Sequence, residues 1–175
     1  MSILPIVQRG APVLTQTALA VENIHAKDIK QLINDLTVTM NDASGVGIAA
    51  PQVGKSLRVF LMCSAPSERY PNAPLLPLTV VINPEIISTN NQQALGWEGC
   101  LSVKNKRALV PRYTVIKVSY FDETGQKHLQ TLSDFIARIF QHELDHLDGI
   151  TFVDRLNNEP DAITKQQWQK MQSIA

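Results

Sequence analysis

Residues 135–146 leave the backbone one regular structure to adopt. Phe135, Ile139, His142 and His146 recur at the i, i+4, i+7, i+11 spacing of one helical stripe, so an apolar face runs directly into two imidazoles. His142 and His146 then share a side of the helix, with Glu143 one step round. Two imidazoles four residues apart can hold one divalent metal while the adjacent carboxylate reaches a bound water, which is a layout for metal-assisted hydrolysis. A solvated helix would carry such histidines on its polar side; here they extend the core side. Ser133 or Asp134 is placed to cap the start, and Gly149 to stop the helix one turn past His146.

A catalytic site of the zinc type takes three protein ligands and keeps a position for water. With four histidines and two cysteines in the chain, the remaining candidates are His25, His128, Cys63 and Cys100. His25 falls in a polar stretch before an N-terminal helix. His128 follows a turn at Asp122-Glu123-Thr124-Gly125, so both histidines read as surface residues. Cys63 ends an apolar run over 57–62 and reads as a small core hydrophobe. Cys100 lies in Gly96-Trp97-Glu98-Gly99-Cys100-Leu101-Ser102, where Gly99 permits a sharp turn that brings the thiol inward. The alternative for Cys100 is a buried structural cysteine.

The chain has 175 residues, is 44% hydrophobic and balances 16 Lys and Arg against 16 Asp and Glu, which predicts one catalytic domain over 1–175 with one core. Two cysteines, no N-terminal apolar leader and no long apolar stretch predict a cytoplasmic protein with no disulfide framework and no membrane span. The neutral balance and the absence of a basic block give no signal for nucleic acid. Ile29, Leu32, Ile33, Leu36 and Met40 predict a helix over about 26–41, followed by a glycine-rich turn. Strands are expected at 57–63 and 78–83, joined by a surface loop with Pro66, Pro71, Pro74 and Pro77 to which no chemistry is assigned. A hairpin is expected over 113–121 and 127–132, then the motif helix, a break at Asn157-Asn158-Glu159-Pro160 and a short polar C-terminal helix. The fold class is α+β: antiparallel strands packed around a central metal-binding helix, flanked by an N-terminal and a short C-terminal helix.

Gly45-Val46-Gly47-Ile48-Ala49-Ala50-Pro51-Gln52, Glu98-Gly99-Cys100-Leu101-Ser102 and Gln141-His142-Glu143-Leu144-Asp145-His146 resemble, in order and approximate spacing, the three signature segments of the peptide deformylase family. Arg107-Ala108-Leu109-Val110-Pro111-Arg112 is similar to that family as well. The resemblance implies a hydrolase that removes formyl from newly made N-formylmethionyl chains. It makes Cys100 the third ligand beside His142 and His146, and Glu143 the general base and acid. It also places the Gln52 amide and the Leu101 backbone N–H around the developing oxyanion. Gly45, Val46 and Gly47 would flank the extended peptide, and Val46, Phe135, Ile139 and His142 the methionine side chain. A phosphate cradle at the glycines is disfavoured by the lack of a following Lys-Ser or Lys-Thr. The metal implied in cells is Fe(2+), with Zn(2+), Ni(2+) or Co(2+) able to occupy the same donors.

Two residues depart from the family pattern. Lys104 stands where proline is common, which suggests a more mobile, more basic loop. Arg138 replaces an apolar residue near the methionine pocket; it is expected to run its stem along the helix into solvent, the alternative being a narrowed or polarised rim. Arg155, Lys165 and Lys170 are balanced by Asp154, Glu159 and Asp161, so ribosome contact is left as a transient possibility without a basic tail. A buried pair between Asp145 and Arg112 is expected to support the metal helix. The competing classes are a metallopeptidase cutting internal bonds and a silent metal-binding or peptide-binding paralogue. An intact Glu143, Gln52 and Cys100 argues against the second.

Overall fold

The strand segments of the first half are apolar at consecutive positions because both of their faces are covered. The computed structural model describes residues 1–67, 70–156 and 162–172. Strands β1 (Gly47–Ala49), β2 (Val59–Ser64), β3 (Leu76–Thr89), β6 (Val115–Phe121) and β7 (Lys127–Ser133) form an antiparallel sheet in the order β1-β2-β3-β6-β7. Ile48, Val59, Leu61, Val80 and Ile82 pack with Ile29, Leu32, Ile33, Leu36 and Met40 of helix α1 (Lys27–Asp42). Ala49, Phe60, Met62 and Val81 point the other way, with Ile116 and Val118, onto Ala137, Ile139, Phe140, Leu144 and Leu147 of helix α2 (Asp134–Leu147). Alternate residues of each strand thus feed two cores, as the period-2 geometry of a strand requires.

A second antiparallel sheet, β4 (Gln93–Cys100), β5 (Val103–Tyr113) and the two-residue β8 (Ile163–Thr164), stands on the far side of α2. Helix α3 (Lys165–Gln172) follows. The α+β arrangement with a central helix is therefore present, and its three helices lie close to where periodicity placed them. The break expected at Asn157-Asn158-Glu159-Pro160 lies outside the described residues.

Several local expectations need correction. The glycine-rich segment is a buried edge strand, with Gly47, Ile48 and Ala49 opposite Met62, Leu61 and Phe60. Strand β3 continues well past 83 because Asn83, at φ 50°, and Pro84 fall in a bulge where no ladder hydrogen bond is needed. The Asn83 side chain stitches that bulge to Val21, donating to its carbonyl and accepting from its N–H. The supposed mobile loop at Lys104 is the start of β5, and Lys104 is exposed on it. The β4–β5 hairpin escaped periodicity because inward positions carry Gly96, Glu98, Arg107 and Arg112, which break any apolar alternation.

Helix α2 ends as anticipated, with Gly149 at φ 74° and the Ile150 N–H returning to the Asp145 carbonyl at 2.8 Å. A β-carbon at Gly149 would lie 2.7 Å from the Thr15 carbonyl carbon and 2.8 Å from the Gln16 nitrogen. Gly149→Ala therefore combines a strained left-handed φ with a backbone clash and should cost roughly 2–4 kcal/mol. Urea unfolding monitored by circular dichroism checks this; a loss under about 0.5 kcal/mol contradicts it.

Candidate metal centre and cavity

The apolar face of α2 is pinned to the large sheet, with Phe140 edge-on to Phe60 at 5.2 Å. This leaves the neighbouring face, with His142 and His146, turned toward the end of β4. The helix begins without side-chain capping: Ser133 occupies the cap position but makes no capping bond, and Asp134 sits at φ 49° with its N–H on the Thr114 carbonyl. The backbone contact to Thr114 takes the place of the expected side-chain cap. Strand β4 ends at Cys100, where the ladder is irregular between Glu98 and Cys100. The thiol sulfur lies 3.1 Å from His146 Nε2, and one donor atom each from Cys100, His142 and His146 fall within 4.8 Å of one another. Folding thus gathers residues 46 positions apart into a Cys-His-His set of the kind that suits a transition metal.

Behind these three lies Glu98, a residue to which sequence reasoning gave no role. Its buried carboxylate accepts from Arg112 Nε and Nη2 at 2.9 Å each, from Arg138 Nη1 at 2.8 Å and from His142 Nδ1 at 2.8 Å. With Nδ1 donating, the lone pair of His142 is on Nε2, the nitrogen left free to ligate. Burial opposes ionisation of Glu98, but the bonds from His142 and Arg112 outweigh it and hold the carboxyl well below the usual range. In the metal-free protein burial likewise opposes the Cys100 thiolate, yet the charge of His146 and a hydrogen bond from protonated His142 bring its pKa to about 5. The sulfur is thereby primed as a thiolate donor. The expected Arg112–Asp145 pair forms at 2.6 Å between two buried side chains, and Arg155 Nε adds a second cation on Asp145 at 2.8 Å.

Glu143 is buried and faces Gly47: a β-carbon there would come within 2.3 Å of Glu143 Oε1. Gly47 leaves room for that carboxylate. Glu143 Oε2 and His146 Nδ1 are buried without a hydrogen-bond partner among the described residues. Burial raises the Glu143 pKa to about 7, tempered by the two histidines. Gln52 is fully buried; its Oε1 accepts from the Ala49 N–H at 2.8 Å, and its Nε2 is held toward Ser102 Oγ at 3.2 Å and the Cys100 sulfur at 3.4 Å.

A cavity of about 110 Å³ opens beside this centre. Gly45, Val46, Gly47, Gln52, Cys100, Leu101, Phe135, Ile139, His142 and Glu143 all line it, and His146 is buried behind them. The structure also brings in residues that sequence reasoning missed. The proline-rich loop delivers Tyr70, whose ring packs 4.9 Å from Phe135, so that loop is part of the cavity wall. Trp97 and Arg107 also line it. A β-carbon at Gly99 would fall 2.1 Å from Arg107 Nη1, so the glycine beside Cys100 makes space for a guanidinium as well as a bend. Arg138 does not run into solvent: it turns inward, lines the cavity and donates to Glu98 and three backbone carbonyls. Acceptors on β4 and β5, the buried Glu98 carboxylate and the carbonyl of buried Val110 among them, compete successfully with water for it.

Comparisons with known proteins point to one family. The family pattern of polypeptide deformylase matches residues 3–161. Peptide deformylase 2 of Nostoc sp. is 51% identical over 169 residues, covering 97% of this chain and 94% of its own. Peptide deformylase 2 of Shewanella oneidensis is 46% identical over 152 residues, covering 87% and 83% respectively. The Met-Ala-Ser-bound class I type b peptide deformylase of Acinetobacter baumannii superposes with a TM-score of 0.86 at 42% identity, covering 89% of this chain and all of that one. An actinonin complex of the Synechococcus elongatus enzyme gives 0.80 at 35% identity, covering 92% and 82%.

The raised Glu143 value fixes a sign for metal-free protein. Between the ordinary 4.5 and about 7 the folded state holds a proton that the unfolded state has lost, so this group's contribution falls as pH rises through that window. Metal-free Glu143→Gln should therefore melt higher than the parent above about pH 7, with the gap closing toward pH 4.5. Thermal melts from about pH 5 to about pH 8 check it; a gap independent of pH is the contrary result.

Proposed function

Because the chain belongs to the polypeptide deformylase family, it is a hydrolase that removes the N-formyl group from the N-terminal methionine of newly made polypeptides and releases formate, and we propose that Cys100, His142 and His146 hold one divalent metal for that reaction. The observation that carries this reading is the convergence of three donor atoms within 4.8 Å beside the buried, unpartnered Glu143 Oε2. A thiolate and two imidazoles fit Fe(2+), which we assign as the metal in cells; Zn(2+), Ni(2+) and Co(2+) fit the same donors. The ion would supply Lewis acidity that lowers the pKa of a water toward neutrality.

The rest of the chemistry belongs to the chain's own side chains. Glu143 takes a proton from the attacking water and returns it to the departing amine; burial raises the proton affinity of its carboxyl, which suits both transfers. Gln52 Nε2 and the Leu101 N–H donate to the oxygen on which negative charge develops. The Gln52 amide is held in orientation by the Ala49 N–H, so little reorganisation is needed as charge appears. Val46, Phe135 and Ile139 receive the methionine side chain, and the peptide runs extended along Gly45–Gly47, where β1 ends the large sheet with an edge available for strand addition. The relative with Met-Ala-Ser bound supports a peptide in this cavity. We place the enzyme in the cytoplasm with its nascent substrates; no described helix is long and apolar enough to cross a membrane.

Two variants separate the assigned roles, measured as formate release from formyl-Met-Ala-Ser by protein prepared without oxygen. Glu143→Ala should bind metal nearly normally yet lose at least about a hundredfold in turnover. Cys100→Ala should lose stoichiometric metal together with activity. Full metal content in the second variant removes Cys100 from the ligand set, and near-parent turnover in the first removes Glu143 from proton transfer.

A further inference from the structure

Arg138 is the inward-turned charge that the reaction does not use. It lies on α2 one turn before His142, with its side chain 14% exposed. Nη1 donates to Glu98 Oε1 at 2.8 Å, to the Val110 carbonyl at 2.8 Å and to the Gly96 carbonyl at 3.3 Å; Nη2 donates to the Ala94 carbonyl at 2.7 Å. These acceptors belong to both strands of the β4–β5 hairpin. A β-carbon at Gly96 would lie 2.6 Å from the Arg138 guanidinium carbon and 2.8 Å from Nε and Nη2. Residue 96 is thus a hole that residue 138 fills.

The location of this contact gives it a consequence. The ligand set comes from two elements, Cys100 at the end of β4 and the two histidines on α2, so the relation of hairpin to helix sets the site. The buried apolar residues of α2 all pack toward the large sheet, while the cluster under the hairpin, Val103, Ala108, Val110, Phe152 and Val153, contains none of them. Polar links therefore carry much of the attachment of the β4–β5 hairpin to α2, and Arg138 supplies four of them, three to β4 and one to β5. Its bond to Glu98 also steadies the carboxylate that receives His142 Nδ1–H.

We propose that Arg138 is a positioning residue for the metal centre: seated on the bare backbone of Gly96, its guanidinium locks the β4–β5 hairpin to α2 and orients His142 through Glu98. This rests on the reading of Cys100, His142 and His146 as ligands. Arg112 still pairs with Glu98 when Arg138 is replaced, so the carboxylate keeps a cation and the fold has its other anchors.

The test uses Arg138→Met, Arg138→Lys, Gly96→Ala and the double variant Gly96→Ala/Arg138→Met. Zn(2+) affinity is read by chelator competition, Co(2+) geometry by visible absorption, and kcat and KM on formyl-Met-Ala-Ser. Arg138→Met and Gly96→Ala should each weaken Zn(2+) binding about tenfold or more and shift the Co(2+) bands, with KM within about twofold of the parent. Arg138→Lys should recover only part, because an ammonium cannot span both strands and the carboxylate as a planar fork does. The double variant should be no worse than Arg138→Met, since a methionine side chain held by no hydrogen bond can yield the seat to the added methyl. Unchanged Zn(2+) affinity and Co(2+) bands in Arg138→Met overturn the proposal, as does a rise in KM alone, which would make Arg138 a cavity wall. Additive losses in the double variant overturn the pairing with Gly96. Should Arg138→Met not fold, Gly96→Ala and Arg138→Lys decide between the same outcomes: unchanged Zn(2+) affinity and Co(2+) bands in both overturn the proposal. Retention of stoichiometric metal by Cys100→Ala marks failure of the ligand reading itself.

Discussion

Everything at the Cys100-His142-His146 cluster hangs on one buried carboxylate. Glu98 is 5% exposed and faces two guanidiniums and one imidazole, so its charge is neutralised by side chains from β5 and α2 at once. Buried ions are costly to desolvate, and removing one partner of such a pair typically costs about 3–5 kcal/mol. That cost works as a geometric constraint: hairpin and helix cannot drift apart without stranding a charge. Asp145 repeats the device on the adjoining turn of α2, between Arg112 and Arg155. Arg112 bridges both carboxylates, so Glu98 and Asp145 share one cation.

Gly47, Gly96 and Gly99 acquire a common explanation. Gly47 leaves space for the Glu143 carboxylate, Gly96 for the Arg138 guanidinium and Gly99 for that of Arg107. In each case a charged group lies against bare backbone, where a methyl would displace it. Arg107 in turn lies 5.9 Å from the centre of the Trp168 ring, which ties α3 to the cavity wall. Small residues here serve electrostatics by letting charge approach backbone in a space that excludes water.

The large sheet provides the rigid background. Its two faces are packed by α1 and α2, and the central strands are consequently apolar at successive positions. A helix held along its apolar stripe by Phe140, Leu144 and Leu147 presents its histidines at a fixed azimuth. The catalytic face is thus a by-product of core packing on the neighbouring face.

Local patterning was enough to place α1, α2, the β6–β7 hairpin and the C-terminal helix, because each is written in the spacing of neighbours along the chain. Periodicity also put His142, Glu143 and His146 on one helix, and motif resemblance pointed to Cys100, Gln52 and Leu101 as their companions. The β4–β5 hairpin, the roles of Glu98 and Arg138 and the delivery of Tyr70 to the cavity were not legible. For Arg138 the reason lies in partners 28 and 44 residues away, Val110 and Ala94, and for Glu98 in charges that look like surface until the opposing charge is folded against them. Residue spacing determines which side of a helix or strand a group occupies; only the tertiary structure decides which distant charge it meets there, because desolvation and pairing arise only when the elements pack.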